Sequence, residues 1–525
     1  VETTRSSRER RREPERRPKM RRRSRLEVRQ QEDGRPHSLL RCLSCTGLVF
    51  LSLALPAALT LRGTSSRSYV RKGNESNSGG VDSSQKPSAA SDGSSSSTGP
   101  VSPMRWRGIS PGIPSSPRSI DDIHIVFSTD CSPYQGFQSI VLFNTAEVVE
   151  QKGPVTRVAS GCTEEEQKKL RLLMSKQPER FRVHFTPDFS KDPETGEEFK
   201  FYNKPNGIAH FLEHADPPVK EAVIALVDPD MVLMSKLTPQ VGNPKLMLWH
   251  DAEFEQSSEW VTKGHPVGQF YGLGGSWSNW KDFDEIVEDL GPDTPANEIT
   301  LNEAAKAYPV GPPYLMHPHD WARLADIWAS LSVKVYRRHP GILAEMYGFC
   351  VAAAHLRLPH RVARGLMVSD TNPAAKEGWP LVDAMSESAC DPSAVDKFRP
   401  ELPPVVHYCQ FYRVGTYMFG KRHRSNHDFF SCDADAYELP PPDYLSSPMV
   451  ELRVQPVKAG EASKEDHVLA STGVRQGYAM CAVLRAMNVA QVSYKNRYCR
   501  AEEISGGVKR LTDLNPEQVA ADSYG

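Results

Sequence analysis

Two aspartates one residue apart, Asp228 and Asp230, end a run of apolar residues, Ala222-Val-Ile-Ala-Leu-Val227. Such a run reads as a strand buried on both faces, and its carboxyl end opens on the crevice where open α/β sheets hold ligands. Two carboxylates there can share one hard divalent cation, with water and diphosphate oxygens filling its other positions. The competing reading is an Asp-Pro turn that closes a strand and does nothing else. Lys204, behind Asn203 at a helix start, offers a cation beside helix-terminal N–H groups, which suits phosphate or sugar hydroxyls. It reads equally as a solvated lysine before a proline at the first helical position. Glu345, in Leu343-Ala-Glu-Met-Tyr347, falls on a helix whose pattern predicts burial, where a carboxylate is costly unless paired or functional. Such a group can bind an acceptor hydroxyl, take its proton as a general base, or salt-bridge Arg337 or Arg338. His407, in Pro403-Pro-Val-Val-His-Tyr408, has an imidazole suited to Mn²⁺ as a third protein ligand, or is a hydrogen-bonded structural histidine. Lys421 and Arg422 are either diphosphate contacts or solvated surface cations.

The elements that must position these groups follow from periodicity. Ile123–Asp130 reads as a first strand, Phe137–Val149 as a helix and Val155–Ser160 as a second strand. Thr163 followed by three glutamates marks an N-cap with an acidic first turn, opening a helix to about Met174. Phe181–Phe185 is a third strand; a connection through Asp192-Pro-Glu-Thr-Gly196 leads to a helix over Asn206–His214 and then to the strand before Asp228. This alternation implies a mostly parallel sheet with right-handed crossovers. Asp130, ending the first strand, then lies where the base or ribose of a nucleotide belongs, or caps the turn that follows. His317 and His319 flank Pro318 ahead of a helix over Trp321–Leu331, so capping suits them better than a metal. Trp277 and Trp280 either stack on a sugar or peptide from a loop or anchor the core.

The 525 residues carry a net charge of −1, yet residues 1–41 hold 15 Lys/Arg against 7 acids, which leaves about −9 for the rest. Nothing in that balance favours nucleic acid as a partner of the folded part. Residues 42–61 are apolar and uncharged, long enough for one membrane crossing at about 1.5 Å per residue. The basic leader keeps the amino terminus cytosolic and sends the remainder into a lumen. Residues 62–120, rich in Ser, Gly and Pro, read as a disordered stem, with a glycosylation sequon at Asn74-Glu-Ser76. Eight cysteines follow the span, an even number that suits an oxidising lumen without defining their pairing. Gly473–Val489 reads as a helix within a C-terminal extension, 446–525.

The segments FSTDCSPYQGFQSIVLFNT, GPVTRVASGCT, YNKPNGIAHFLEH, VDPDM, YPVGPPYLM, EMYGFCVAAAH and PPVVHY occur in this order between about residues 122 and 445. Together they resemble the plant and algal peptidyl-serine galactosyltransferase and hydroxyproline O-arabinosyltransferase group. Gly420 and Cys409-Gln410 depart from that pattern. The resemblance implies a GT-A-like, Rossmann-like α/β catalytic domain at 121–445, held in the Golgi or endoplasmic reticulum as a type II membrane protein. It further implies transfer of arabinose or galactose from a UDP-sugar to hydroxyproline or serine of secreted glycoproteins. On that reading Asp228, Asp230 and His407 hold Mn²⁺ or another divalent cation. Asp130, Lys204 and Lys421 contact the donor, and Glu345 joins the aspartates in the chemistry. Two rivals remain open: a catalytically silent lumenal protein that binds sugar or peptide on the same fold, and a metal-dependent hydrolase using the same acidic pair.

Overall fold

A computed structural model describes residues 106–249, 259–385, 387–423, 426–444 and 462–511. The basic leader, the apolar run 42–61 and most of the stem, with its sequon, lie outside the described residues. Among those described, no helix is long and apolar enough to cross a membrane.

Strands β1 (Ile123–Thr129), β2 (Val155–Ser160), β3 (Phe181–Thr186) and β4 (Val223–Val227) alternate with helices α1 (Pro133–Val148), α2 (Glu164–Met174) and α3 (Asn203–His214). The capping box expected at Thr163 forms, with Thr163 and Glu166 bonding each other's backbone N–H groups. β5 (Met231–Leu233), β6 (Val267–Phe270), β7 (Val310–Met316) and β8 (Arg361–Ala363) follow in the chain. Seven strands form one sheet in the order β3-β2-β1-β4-β7-β6-β8. The first four are parallel, as the alternation implied. β7 runs antiparallel between β4 and β6, which makes the sheet mixed, and no periodicity announced that reversal.

Period two along the strands divides the core. Ile123, Ile125 and Phe127 of β1, with Val223, Ala225 and Val227 of β4, pack on one side together with Leu142, Phe143 and Ala146 of α1. Val126, Ile224 and Leu226 face the other side, against α3 and the helices Pro318–Arg338 and Ala344–His355. By the same parity Asp228 belongs to the Ile224 and Leu226 side. The last two helices can cross closely because residue 348 is a glycine, where a Cβ would come within 2.9 Å of Ser332 N, and Trp328 Nε1 donates to the Glu345 carbonyl at 2.7 Å. That crossing brings Glu345 to the end of β4.

A smaller sheet, β5-β10-β9, combines β5 with β9 (Met367–Val368) and β10 (Val405–His407). A hairpin of β11 (Tyr412–Val414) and β12 (Tyr417–Phe419) follows. The expected C-terminal helix spans Ala462–Tyr498, and its buried residues share a core with β10 to β12 and with Phe137 and Val141 of α1. Disulfides join Cys390 to Cys481, Cys432 to Cys499 and Cys131 to Cys162. The stem reading extended to residue 120, but residues 106–120 are described and partly packed. Ile109 is buried and bridges to Val219, because this stretch carries the large apolar side chains that the segment before it lacks.

Candidate functional site

Asp228 follows β4 directly, Pro229 turns the chain, and Asp230 precedes β5. The antiparallel pairing of β5 with β10 sets Met231 opposite His407, and Tyr408 N donates to the Asp230 carbonyl at 3.0 Å. This ladder is what brings a histidine from far along the chain to the acidic pair. His407 Nε2 lies 3.2 Å from Asp230 Oδ1, while its Nδ1 shares a 3.2 Å hydrogen bond with the Tyr271 hydroxyl. One ligand atom each from Asp228, Asp230 and His407 fall within 4.8 Å of one another, the only such group among the described residues. Two carboxylates and an imidazole match the hard-to-borderline donor set of Mn²⁺ and similar divalent cations.

Two lysines enter the same site. Lys204 Nζ bridges Asp228 Oδ1 at 2.8 Å and Glu345 Oε1 at 2.7 Å. Lys421 Nζ lies 2.5 Å from Asp230 Oδ2. Burial alone would lower the Lys204 ammonium, but Asp228 and Glu345 outweigh it and hold the group above its ordinary range. For Asp230 burial works upward, yet Lys421 and His407 prevail and keep the carboxyl well below the usual carboxylate range. Burial likewise opposes the His407 imidazolium, but Asp230 lifts the group above its ordinary value. Glu345 goes the other way: burial raises its carboxyl, and Lys204 offsets only part of that. Its Oε2 is buried with no hydrogen-bond partner.

Several expectations are corrected by these contacts. Helix α3 starts at Asn203, not Asn206, because a 3₁₀ turn over Lys200–Tyr202 feeds into it. Asn203 therefore caps nothing; its Oδ1 accepts from Phe189 N at 2.7 Å. Lys204 is no solvated lysine, being held by two carboxylates, and Lys421 is no free surface cation. Glu345 pairs with Lys204 rather than with Arg337, which binds Asp192 and Glu194, or Arg338, which pairs with Glu285. Asp130 stands apart from the cluster's contacts and accepts from Ser132 N at 2.9 Å and Ser132 Oγ at 2.5 Å, the turn-capping alternative. His317 caps the Pro318–Arg338 helix, its Nδ1 accepting from His319 N at 3.2 Å. Trp277 is fully buried in the core, and Trp280 stacks on His339.

Three supporting residues escaped the sequence reading. Tyr271 orients His407. Buried Asn426 donates from Nδ2 to the Gly420 and Lys421 carbonyls at 3.1 and 3.0 Å, fixing the turn that presents Lys421. The Tyr412 hydroxyl donates to the His407 carbonyl at 3.1 Å. A tyrosine or asparagine carries no signal of its own until a ligand-bearing turn is known beside it.

No protein-family model matches the chain. It is 26% identical over 261 residues to the peptidyl serine alpha-galactosyltransferase of Arabidopsis thaliana, covering 47% of this chain and 28% of that protein. To the enzyme of the same name from Chlamydomonas reinhardtii it is 27% identical over 257 residues, 46% of this chain and 31% of that one. The match thus spans less than a third of either relative. Among solved structures, the galactosyltransferase LgtC with donor and acceptor sugar analogues gives a TM-score of 0.31 at 13% identity, covering 57% of this chain and 90% of that one. The bifunctional glycosyltransferase WbbM gives 0.30 at 11%, covering 59% and 48%. These structural likenesses are too slight to bear on fold or function. The two curated relatives do bear on it: this chain is similar to the peptidyl-serine galactosyltransferases, as the ordered motifs between residues 122 and 445 implied.

Proposed function

We propose that this chain is a GT-A-like, metal-dependent glycosyltransferase that moves a sugar from a UDP donor to a hydroxyl of a protein acceptor. The carrying observation is the convergence of Asp228, Asp230 and His407 at the end of the central strand β4, with Lys204 and Lys421 against the same carboxylates. A bound divalent cation supplies Lewis acidity there, neutralising charge that builds on the departing diphosphate. Asp228, Asp230 and His407 would hold it, and Tyr271, bonded to Nδ1, would keep the His407 Nε2 lone pair turned toward the aspartates. Lys421 offers its ammonium to the diphosphate side of the site. Lys204 holds Asp228 and Glu345 in fixed orientation, so the carboxylates meet the ligand without rearranging. The names of the relatives favour galactose and serine; arabinose and hydroxyproline are the alternative within the same group. Three disulfides and the apolar run 42–61 support a lumenal, type II placement in the Golgi or endoplasmic reticulum.

The test offers the purified protein a panel of UDP-sugars with a Ser-Hyp-Hyp-Hyp peptide and its Ala-substituted versions, with Mn²⁺ or EDTA, read by UDP release and peptide mass. Asp228→Ala and Asp230→Ala each remove a carboxylate from the cation and should lower transfer by about 10²-fold or more, since metal catalysis contributes several kcal/mol. Peptide binding without UDP release from any donor points to the silent binding protein. UDP release without mass gained by any peptide points to the hydrolase.

A further inference from the structure

Away from the acidic cluster, two cations gather on one exposed ring without a counter-charge. Trp249 is 36% exposed, whereas Trp277, Trp321, Trp328 and Trp379 are buried in the core. The Arg364 guanidinium stacks over the Trp249 indole at 4.6 Å and lies 5.9 Å from the Phe270 ring, and the Lys376 ammonium stands 6.0 Å from the same indole. Among the described residues neither cation pairs with an acid, and the buried Nε of Arg364 has no hydrogen-bond partner. Backbone bonds hold the group together: Trp249 N donates to the Val362 carbonyl of β8 at 2.8 Å, and Gln269 Nε2 of β6 donates to the Arg364 carbonyl at 3.2 Å. A guanidinium stacked on an aromatic face is held flat, which leaves its edge to meet a carboxylate through two parallel hydrogen bonds. Two cations on one ring repel each other, and an anion between them removes that cost.

This platform adjoins the candidate site along two routes. Phe270 precedes Tyr271, whose hydroxyl bonds His407 Nδ1. Lys376 precedes Glu377, whose carboxylate accepts from Ser369 Oγ at 2.8 Å and from Asp370 N at 3.2 Å, and Ser369 follows β9, the parallel neighbour of the strand that ends at His407. The platform also stands on the β6 and β8 side of β4, opposite β1 to β3, whose ends form the crevice expected for a nucleotide. We propose that Trp249, Arg364 and Lys376 form the acceptor subsite and select a protein segment carrying an aspartate or glutamate close to the hydroxyl that receives the sugar. The carboxylate of that acid lies between Arg364 and Lys376, and the apolar part of the segment covers the exposed indole. This rests on the transferase reading and deepens it by naming the sequence character of the acceptor.

The experiment uses the full chain with Mn²⁺, the panel of UDP-sugars and serine peptides in which each position flanking the serine is in turn Asp or Asn. In the wild-type protein Asp at the best position should lower the peptide KM about tenfold relative to Asn, the worth of a hydrogen bond to a charged group. Arg364→Met and Lys376→Met should each bring that ratio toward one through the KM of the acidic peptide rather than through kcat, and Arg364→Glu should prefer Lys to Asp at the same position. Lys376 is exposed, so its variant reads the proposal even if the Arg364 variants do not fold. Absence of an Asp preference at every position in the wild type overturns the proposal, as does a preference that survives in Lys376→Met and in folded Arg364→Met. A KM for the donor raised equally with every peptide also overturns it, by assigning the cations to the UDP-sugar. UDP release with no peptide gaining mass overturns the transferase reading instead, and the same Asp-to-Asn ratio, read as dissociation constants by calorimetry, then decides whether the platform takes acidic segments.

Discussion

Lys204→Met tests how the site is built. Its ammonium stands 2.7 Å from Glu345 and 2.8 Å from Asp228, and Glu345 is 2% exposed. Removing the lysine strands a buried carboxylate, a loss of about 3–5 kcal/mol for a broken buried pair. Glu345→Gln approaches the same contact from the other side, but Lys204 keeps Asp228 and the amide oxygen still accepts a hydrogen bond. That change should cost about 1–2 kcal/mol. In the double variant the fully buried Glu345 no longer strands a charge, although the partly exposed Asp228 still loses its lysine, so the combined loss falls short of the sum by about 2–3 kcal/mol. Urea unfolding followed by tryptophan fluorescence reads all three, since Trp321 and Trp328 pack in the core beside the Glu345 helix. The sign with pH is also set. Burial raises the Glu345 carboxyl, and without Lys204 nothing offsets that rise, so the folded chain holds its proton more tightly than the unfolded one. The Lys204→Met deficit should therefore be small near pH 4.5 and grow toward pH 8. A Lys204→Met loss no larger than that of Glu345→Gln, or strict additivity of the two, would refute the counter-ion role.

Tyr271→Phe removes the hydroxyl that orients His407 and should weaken Mn²⁺ binding in the presence of UDP by about tenfold, the usual lower bound for such a partner. Electron paramagnetic resonance of free Mn²⁺ measures it, and unchanged affinity means the ring is oriented by packing alone. Asp192→Asn probes the Asp192-Pro-Glu-Thr-Gly196 loop, where Arg337 binds the buried carboxylate through Nε at 2.6 Å and Nη2 at 2.7 Å. The Arg337 bond, against burial, holds that carboxyl well below the usual range, so its stabilisation is present above the unfolded value of about 3.9 and is lost as pH falls through the folded one. The variant should lose about 2–4 kcal/mol at pH 7. That deficit should persist to pH 4 and narrow below it; urea midpoints showing a constant deficit down to pH 2 would contradict this linkage.

The acidic pair was legible because two signals coincide at it: a strand-length apolar run and an abrupt change to carboxylates. Strand parity even assigns Asp228 its side of the sheet. Its partners were less legible. Lys204 and Glu345 are 141 residues apart, and each looked plausible in isolation with a different partner, phosphate for one and Arg337 or Arg338 for the other. Lys421 looked like one of two exposed cations, since nothing nearby in the chain reveals that the turn after β12 folds back onto Asp230. The disulfide pairing was open for the same reason: spacing along the chain does not report which cysteines face each other.

Local periodicity and capping chemistry are properties of a few consecutive residues, so the sequence alone determined β1 to β4, their intervening helices, the Thr163 cap and the strand end that carries Asp228 and Asp230. Pairing between distant segments depends on register and on which faces can be buried together, and only the tertiary structure decided it. The β5–β10 ladder put His407 on Asp230, the close helix crossing at Gly348 put Glu345 within reach of Lys204, and the Asn426-bound turn delivered Lys421. Each of these contacts turns a residue with several plausible chemistries into one with a defined neighbour, because a buried charge must find its counter-charge within the fold.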